Sequence, residues 1–411
     1  MLGQAEQAQE HYLQAIAQLA SLTSAHINLY AQVVISIVRL HRLLAMVHER
    51  RDEYDFAFKW LERGIAHATT DAYEELVRCY LLGASIYQRQ GEYARSLEWA
   101  RLGLDGARRI DAHSEQARAL LLMGNCWREQ GDLHSSIESL EQAHVLLMQI
   151  NDASQLSDVL NDLGRSYWRA GRWRDAHRYY EQSLQMSESI GDIMKMARTS
   201  NNLAVVMTCR GLLPLASELF QYSLEQFQRM GSAMGVAVAN FNRGYICLLQ
   251  GQFQEAWRLC VESAMTLERI HARNFLPCAL RLAAEATLAL DNLEQASHYA
   301  VESLQIAQEL TMVEEQAITQ RVLGQIAMVR EDWSQATSLL EASRSTLAQI
   351  TSRYELGKTI FTAARLSLAM QHSDEARSRA NEAEQIFTDL KAQRDVKLVQ
   401  AWRITSGLAL A

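Results

Sequence analysis

Asparagine and arginine recur at equivalent places through the middle of this 411-residue chain, and they are the side chains best suited to recognition chemistry. Asn161, Asn201, Asn202 and Asn242 each carry a donor and an acceptor. Each can therefore bond the amide and carbonyl of an extended peptide without reading its side chains. Arg118, Arg165, Arg198 and Arg281 lie on the same or the next helical turn, where a guanidinium can hold an acidic side chain or a terminal carboxylate. Asn125, Trp168 and Tyr245 complete the candidate set. The competing reading is an exposed polar face whose asparagines and arginines are paired with Asp158, Asp162 or Glu285.

Other chemistry is excluded by context. Gly357-Lys358-Thr359 has the look of the end of a phosphate-binding loop, but the glycine needed five residues earlier is Ser352 and no strand precedes it. The twelve histidines form no His-Glu-x-x-His, and no His and Cys grouping has zinc spacing, so no metal and no cofactor is expected. No nucleophile is paired with a base, which argues against an enzyme. Arg165, Arg169, Arg172, Arg174 and Arg178 interleave with Trp168, Trp173, Tyr179 and Tyr180 in the manner of a nucleic-acid patch, yet Trp173 and Tyr180 belong to core columns. The formal net charge of −8 points the same way, so no direct nucleic-acid partner is expected.

What must position the candidate side chains is a repeat. In the stretch from Asn161 to Ile190, with Leu160 before it, Leu160, Leu163, Gly164, Tyr167 and Trp168 form one apolar stripe of helical spacing. Gly171 breaks the pattern, and Trp173, Ala176, Tyr180 and Leu184 begin a second stripe. Two helices joined by so short a turn lie antiparallel. Stepped by 40, the column through Gly164 reads Ala84, Gly124, Gly164, Ala204, Gly244, Ala284, Gly324, Ala364, and that through Ala176 is equally small throughout. The turn column runs Gly91, Gly131, Gly171, Gly211, Gly251, then Asp291, Glu331 and Gln371, so its glycine signal fades. Such self-similarity marks a helical solenoid, an all-α fold.

Leu163-Gly164-x-x-Tyr167, then Ala176, Tyr180 and Ser183, resembles the tetratricopeptide repeat in a lengthened 40-residue form. It departs at Leu160, where the family usually has tryptophan, and in lacking the proline that often follows the second helix. The resemblance implies a right-handed superhelical solenoid of antiparallel helix hairpins whose first helices line the concave wall. Thr199-Ser200-Asn201-Asn202-Leu203-Ala204 is similar to the groove helix of kinesin light chains and other peptide-binding members of the family. By that resemblance Asn161, Asn201, Asn202 and Asn242 would line a peptide groove, with Arg165, Arg198 and Arg281 as carboxylate partners. From Phe241 onward the wall is expected to turn more apolar through Leu248, Cys278, Leu282, Leu288 and Ile318. Similar arrays form the sensor or scaffold part of bacterial signalling and transcription regulators. The expected function is thus a non-enzymatic scaffold for a protein or peptide segment with acidic residues. The alternative is a switch whose solenoid changes pitch when a signalling peptide or small molecule binds.

The expected organisation is an N-terminal capping or incomplete-repeat helix over 1–27, about nine hairpins over 28–390 with turns near 52, 91, 131, 171, 211, 251, 291, 331 and 371, and a capping helix over 391–411. Two prolines and 48% hydrophobic residues suit a nearly continuous helical protein. Of the 40 basic residues 35 are arginine, a bias that also follows from genomic composition alone. Gly3 to Ala8 match the turn and start of a second helix whose own first helix is missing, as if the chain were part of a longer one. Val33 to Leu44 is so apolar that the N-terminal helix or a partner must cover it. The ending Ile404 to Ala411 is less polar than a good cap, which leaves self-association through the ends open. Six cysteines without a C-x-x-C pair, no leader pattern and no expected membrane span make a cytoplasmic setting the default.

Overall fold

The structure, a computed structural model, describes residues 2–21, 27–51 and 53–408. The turn expected near 52, the residues 22–26 that end the N-terminal segment, and the last residues 409–411 lie outside them. Contacts divide the chain into two compact units, Met1–Val159 and Leu160–Ala411, with the division falling inside one helix.

The first unit runs α1 (Leu2–Ser21), α2 (Ile27–Glu49), α3 (Tyr54–His67), a short 3-10 turn, α4 (Tyr73–Arg89), α5 (Tyr93–Arg109), α6 (His113–Gln130), α7 (Leu133–Ile150) and the start of α8 (Ala153–Arg169). The second continues from α8 through α9 (Trp173–Ser189), α10 (Ile193–Cys209), α11 (Leu213–Arg229), α12 (Ala233–Leu249) and α13 (Phe253–Arg269). It ends with α14 (Leu276–Ala289), α15 (Leu293–Glu309), α16 (Val313–Val329), α17 (Trp333–Gln349), α18 (Arg353–Ala369), α19 (Ser373–Leu390) and α20 (Gln393–Thr405). Among the described residues there is no strand.

Each helix stops for a local reason. At Gly171 the backbone takes φ +73°, its amide bonds the Trp168 carbonyl and the Arg172 amide bonds the Tyr167 carbonyl, the double bond that closes a helix on a left-handed residue. The next helix then opens on a cap where the sequence supplies one: the Asp192 carboxylate accepts from the Lys195 amide at 3.0 Å, and Asp132, Asn292 and Asp332 do the same three residues ahead of themselves. Asp291, Glu331 and Gln371 keep the left-handed backbone that glycine adopts earlier in that column.

Consecutive helices pack as antiparallel pairs, and the small columns explain how closely. A Cβ on Gly164 would stand 2.5 Å from the Tyr180 ring, and one on Gly124 2.7 Å from Leu140. Tyr180 and Leu140 are fully enclosed where they cross these glycines. First helices also touch the first helix of the next hairpin, α2 with α4, α4 with α6, α12 with α14, α14 with α16 and α16 with α18. They are therefore the inner layer of the curve within each unit.

The apolar α2 packs against α1, α3 and α4, so the N-terminal helix takes part in covering it. Contrary to the sequence expectation, its window Tyr30–Glu49 is long and apolar enough to cross a membrane. In the fold that helix carries Arg39 and Arg42, both paired with Glu75 of α4, and it buries Val34, Val38 and Ala45 against neighbouring helices.

Gly164→Ala should destabilise the protein by about 1–3 kcal/mol, because the Tyr180 ring has no space to retreat into. Denaturant unfolding measures this; an unchanged midpoint would show that the helices are not packed this closely.

Candidate functional site

On the inner face of the first unit, ion pairs step from helix to helix. Arg39 and Arg42 on α2 donate to the two oxygens of Glu75 at 3.0 and 2.9 Å. Arg78, three residues on, donates to Glu75 at 3.0 Å and also to Glu115 of α6 at 3.0 Å. Glu75 is only 2% exposed; burial pushes its carboxyl up, but Arg42 and Arg39 outweigh that and hold it below the usual carboxylate value. The residue equivalent to Glu75 and Glu115 one step further is Gln155, and its amide is occupied by Ser114 at 2.6 Å and Asp152 at 2.8 Å.

Arg118 is the residue this leaves over. It stands 40 after Arg78, yet among the described residues no carboxylate lies within ion-pair distance of it. Its side chain is exposed at the surface. Partial desolvation by the surrounding protein, and next the nearby Arg42, push its pKa below the ordinary arginine value. Asn125, two helical turns away on the same helix, accepts from Arg128 at 2.6 Å.

In the second unit the asparagines bond one another. Asn202 donates to Asn161 at 3.0 Å and Asn242 to Asn201 at 3.3 Å, tying α8 to α10 and α10 to α12. Asn161 and Asn201 are buried; Asn202 and Asn242 are half-buried. Arg165 is exposed with Asp162 at 3.3 Å, and Arg198 is exposed. Trp168, half-buried, bonds the Cys209 thiol, which burial drives up to about 12. Tyr245 meets Lys358 at 3.4 Å, and Arg281 bonds Glu315 at 2.5 Å and Glu285 at 2.7 Å.

The second unit also curves back on itself. Trp173 meets the edge of Tyr354 with ring centroids 5.2 Å apart, Arg169 pairs with Glu314 at 3.2 Å, and Leu390 lies against Gly171. Arg394 reaches the Leu249 carbonyl at 3.4 Å. The apolar inner wall expected from Phe241 onward is not what forms. Leu282 and Ile318 turn into the core, and the interior carries Arg281, Glu315, Arg321, Glu355 and Lys358 instead. A stripe assigned one position away on a helix rotates by about 100°, enough to exchange core for interior.

Glu355 is the centre of that interior. Arg321 bonds it at 2.6 Å and Lys358 at 3.2 Å. Burial on its own would raise its carboxyl; the charges of Lys358, Arg321 and Arg281 prevail and hold it at about 2. The Tyr354 hydroxyl donates to Asp395 at 3.1 Å, and there burial wins, pushing Asp395 above the usual value. These groups were missed in the sequence, although a 40-residue column of Glu75, Glu115, Glu315, Glu355 and Asp395 could have found them. No group of three or more His, Cys, Asp or Glu able to hold a metal occurs among the described residues. All six cysteines are free thiols.

Residues 115–189 match the tetratricopeptide repeat family model. No curated protein matches the sequence. Among solved structures, a Rap protein complexed with competence and sporulation factor has a TM-score of 0.65 at 14% identity, covering 87% of this chain and 99% of that one. The Rap conjugation gene regulator of plasmid pLS20 in complex with the Phr* peptide has a TM-score of 0.60 at 13% identity, covering 84% and 96%. Aspartyl phosphate phosphatase F from Bacillus subtilis gives 0.56 at 13%, covering 86% and 94%. The tetratricopeptide repeat is thus matched over residues 115–189, and the fold of the chain is a helical solenoid similar to that of these structures.

Because Glu355 sits at about 2 when folded against an ordinary 4.5, the stability it contributes is complete above pH 4.5 and is lost as the pH falls from there toward 2. Glu355→Gln should therefore be less stable than the parent at pH 7, with the gap closing as acid is added. A gap that stays constant down to pH 2 would contradict the assignment.

Proposed function

We propose that this protein is a binding scaffold whose inner face takes a protein or peptide segment, and that an acidic side chain of that segment pairs with Arg118. One observation carries the reading: in a ladder where Arg39, Arg42 and Arg78 all have carboxylate partners, Arg118 has none because Gln155 replaces the next glutamate. A partner carboxylate at that place would regain the bond that Arg78 makes to Glu115, and a charge-assisted bond of this kind is among the stronger ones a surface can offer. The Rap structures named with a bound factor and a bound Phr* peptide support a peptide ligand for a solenoid of this fold. Such a scaffold fits the sensor or interaction region of a cytoplasmic signalling or transcription regulator, with no catalytic step of its own.

The test is selection from a random peptide library displayed in extended form. Ligands should be enriched in Asp or Glu, and Arg118→Ala should weaken the selected peptides roughly tenfold or more while leaving the thermal midpoint unchanged. Equal binding to parent and variant would remove Arg118 from the site; no saturable ligand at all would sink the reading.

A further inference from the structure

A second, chemically different cleft lies at the rim of the second unit, where the turn opening α9, the turn opening α11 and the turn between α19 and α20 come together. Its volume is about 750 Å³, within the range of small-molecule sites. The floor is apolar, formed by Trp173 and Leu390, both nearly fully buried. Around it stand Arg172, Arg174, Arg210 and Lys391, drawn from all three turns.

The lining sets four cationic side chains against two acids, in a chain with a formal net charge of −8. Arg174, Arg210 and Lys391 have no carboxylate within ion-pair distance among the described residues. The two acids that line the cleft are already engaged, Asp175 by Arg172 at 2.8 Å and Arg178 at 3.1 Å, and Asp389 by Arg353 at 2.8 Å. No side chain caps the starts of α9, α11 or α20. Arg174, Arg210 and Lys391 come from separate segments, and a single ligand bearing two or more negative groups would meet all three at once.

We infer that this cleft binds a small polyanion, a phosphate- or carboxylate-bearing metabolite, which bridges the turn at 171–175 to the turn at 388–393. The site is independent of the inner-face peptide reading. The ligand would reinforce a closure now made by Trp173 against Tyr354 and Leu390 against Gly171.

Calorimetric titration with inorganic pyrophosphate and, separately, with citrate at constant ionic strength tests it and tells the two anion sources apart. Saturable binding of one of them supports the site and names its class. Arg174→Gln and Arg210→Gln should each weaken that binding roughly tenfold, whereas Arg258→Gln, an exposed arginine outside the cleft, should not. Hydrogen exchange should slow at both 171–175 and 388–393 on saturation. Failure of both anions to bind, equal affinity in the Arg174 and Arg210 variants, or protection at only one of the two turns would overturn the proposal.

Discussion

Every twentieth residue from Gly91 to Lys391 turns the backbone left-handed, with φ between 52° and 88°. All else in the fold follows from that spacing. Between two such stops there is room for one helix of about 17 residues, and reversal at each stop makes neighbours antiparallel. Equal lengths keep successive first helices in register, so residues 40 apart meet across hairpins. Arg78 can then reach Glu115 from 37 residues away, and Arg281 can reach Glu315 and Arg321 can reach Glu355 from 34.

That regularity turns single substitutions into site features. Where the column keeps its glutamate, the inner face is bound to itself; where it becomes Gln155, Arg118 has no carboxylate partner among the described residues, which is the opening the proposed acidic ligand would use. Buried charges of the Glu355 kind are costly unless fully paired, and Arg321, Lys358 and Arg281 together provide that pairing. The same curvature that brings them together also brings Trp173 to Tyr354 and fills the interior of the second unit with its own side chains. For a peptide, the paired interior there is a poorer host than the incomplete ladder in the first unit.

The hairpins were legible because their marks are local: Gly171 at a turn, Gly164 opposite Tyr180, Asp192 before a helix. The persistence of the turn at Asp291, Glu331 and Gln371 was less so, since a left-handed residue without glycine costs only about 1–2 kcal/mol and packing overrides it. The asparagines were found, but not that Asn202 would bond Asn161 and Asn242 would bond Asn201, because those bonds depend on the distance between helices 40 residues apart. Arg118 was read from the sequence as a carboxylate holder, yet its lack of a partner became visible only once Arg78 was seen with Glu115. Contacts across several hairpins, such as Lys358 with Tyr245, depend on superhelical pitch, which no short motif encodes.

The most direct measurement is to complete the ladder from within. Gln155→Glu places a carboxylate 37 residues after Arg118, the separation at which Glu115 meets Arg78. If Arg118 is the anchor for an acidic ligand, this variant should fold normally and lose affinity for acidic peptides selected on the parent, while Gln155→Leu keeps it. Undiminished binding by a folded Gln155→Glu protein would contradict the account, because the place reserved for the ligand's carboxylate would then be occupied without consequence.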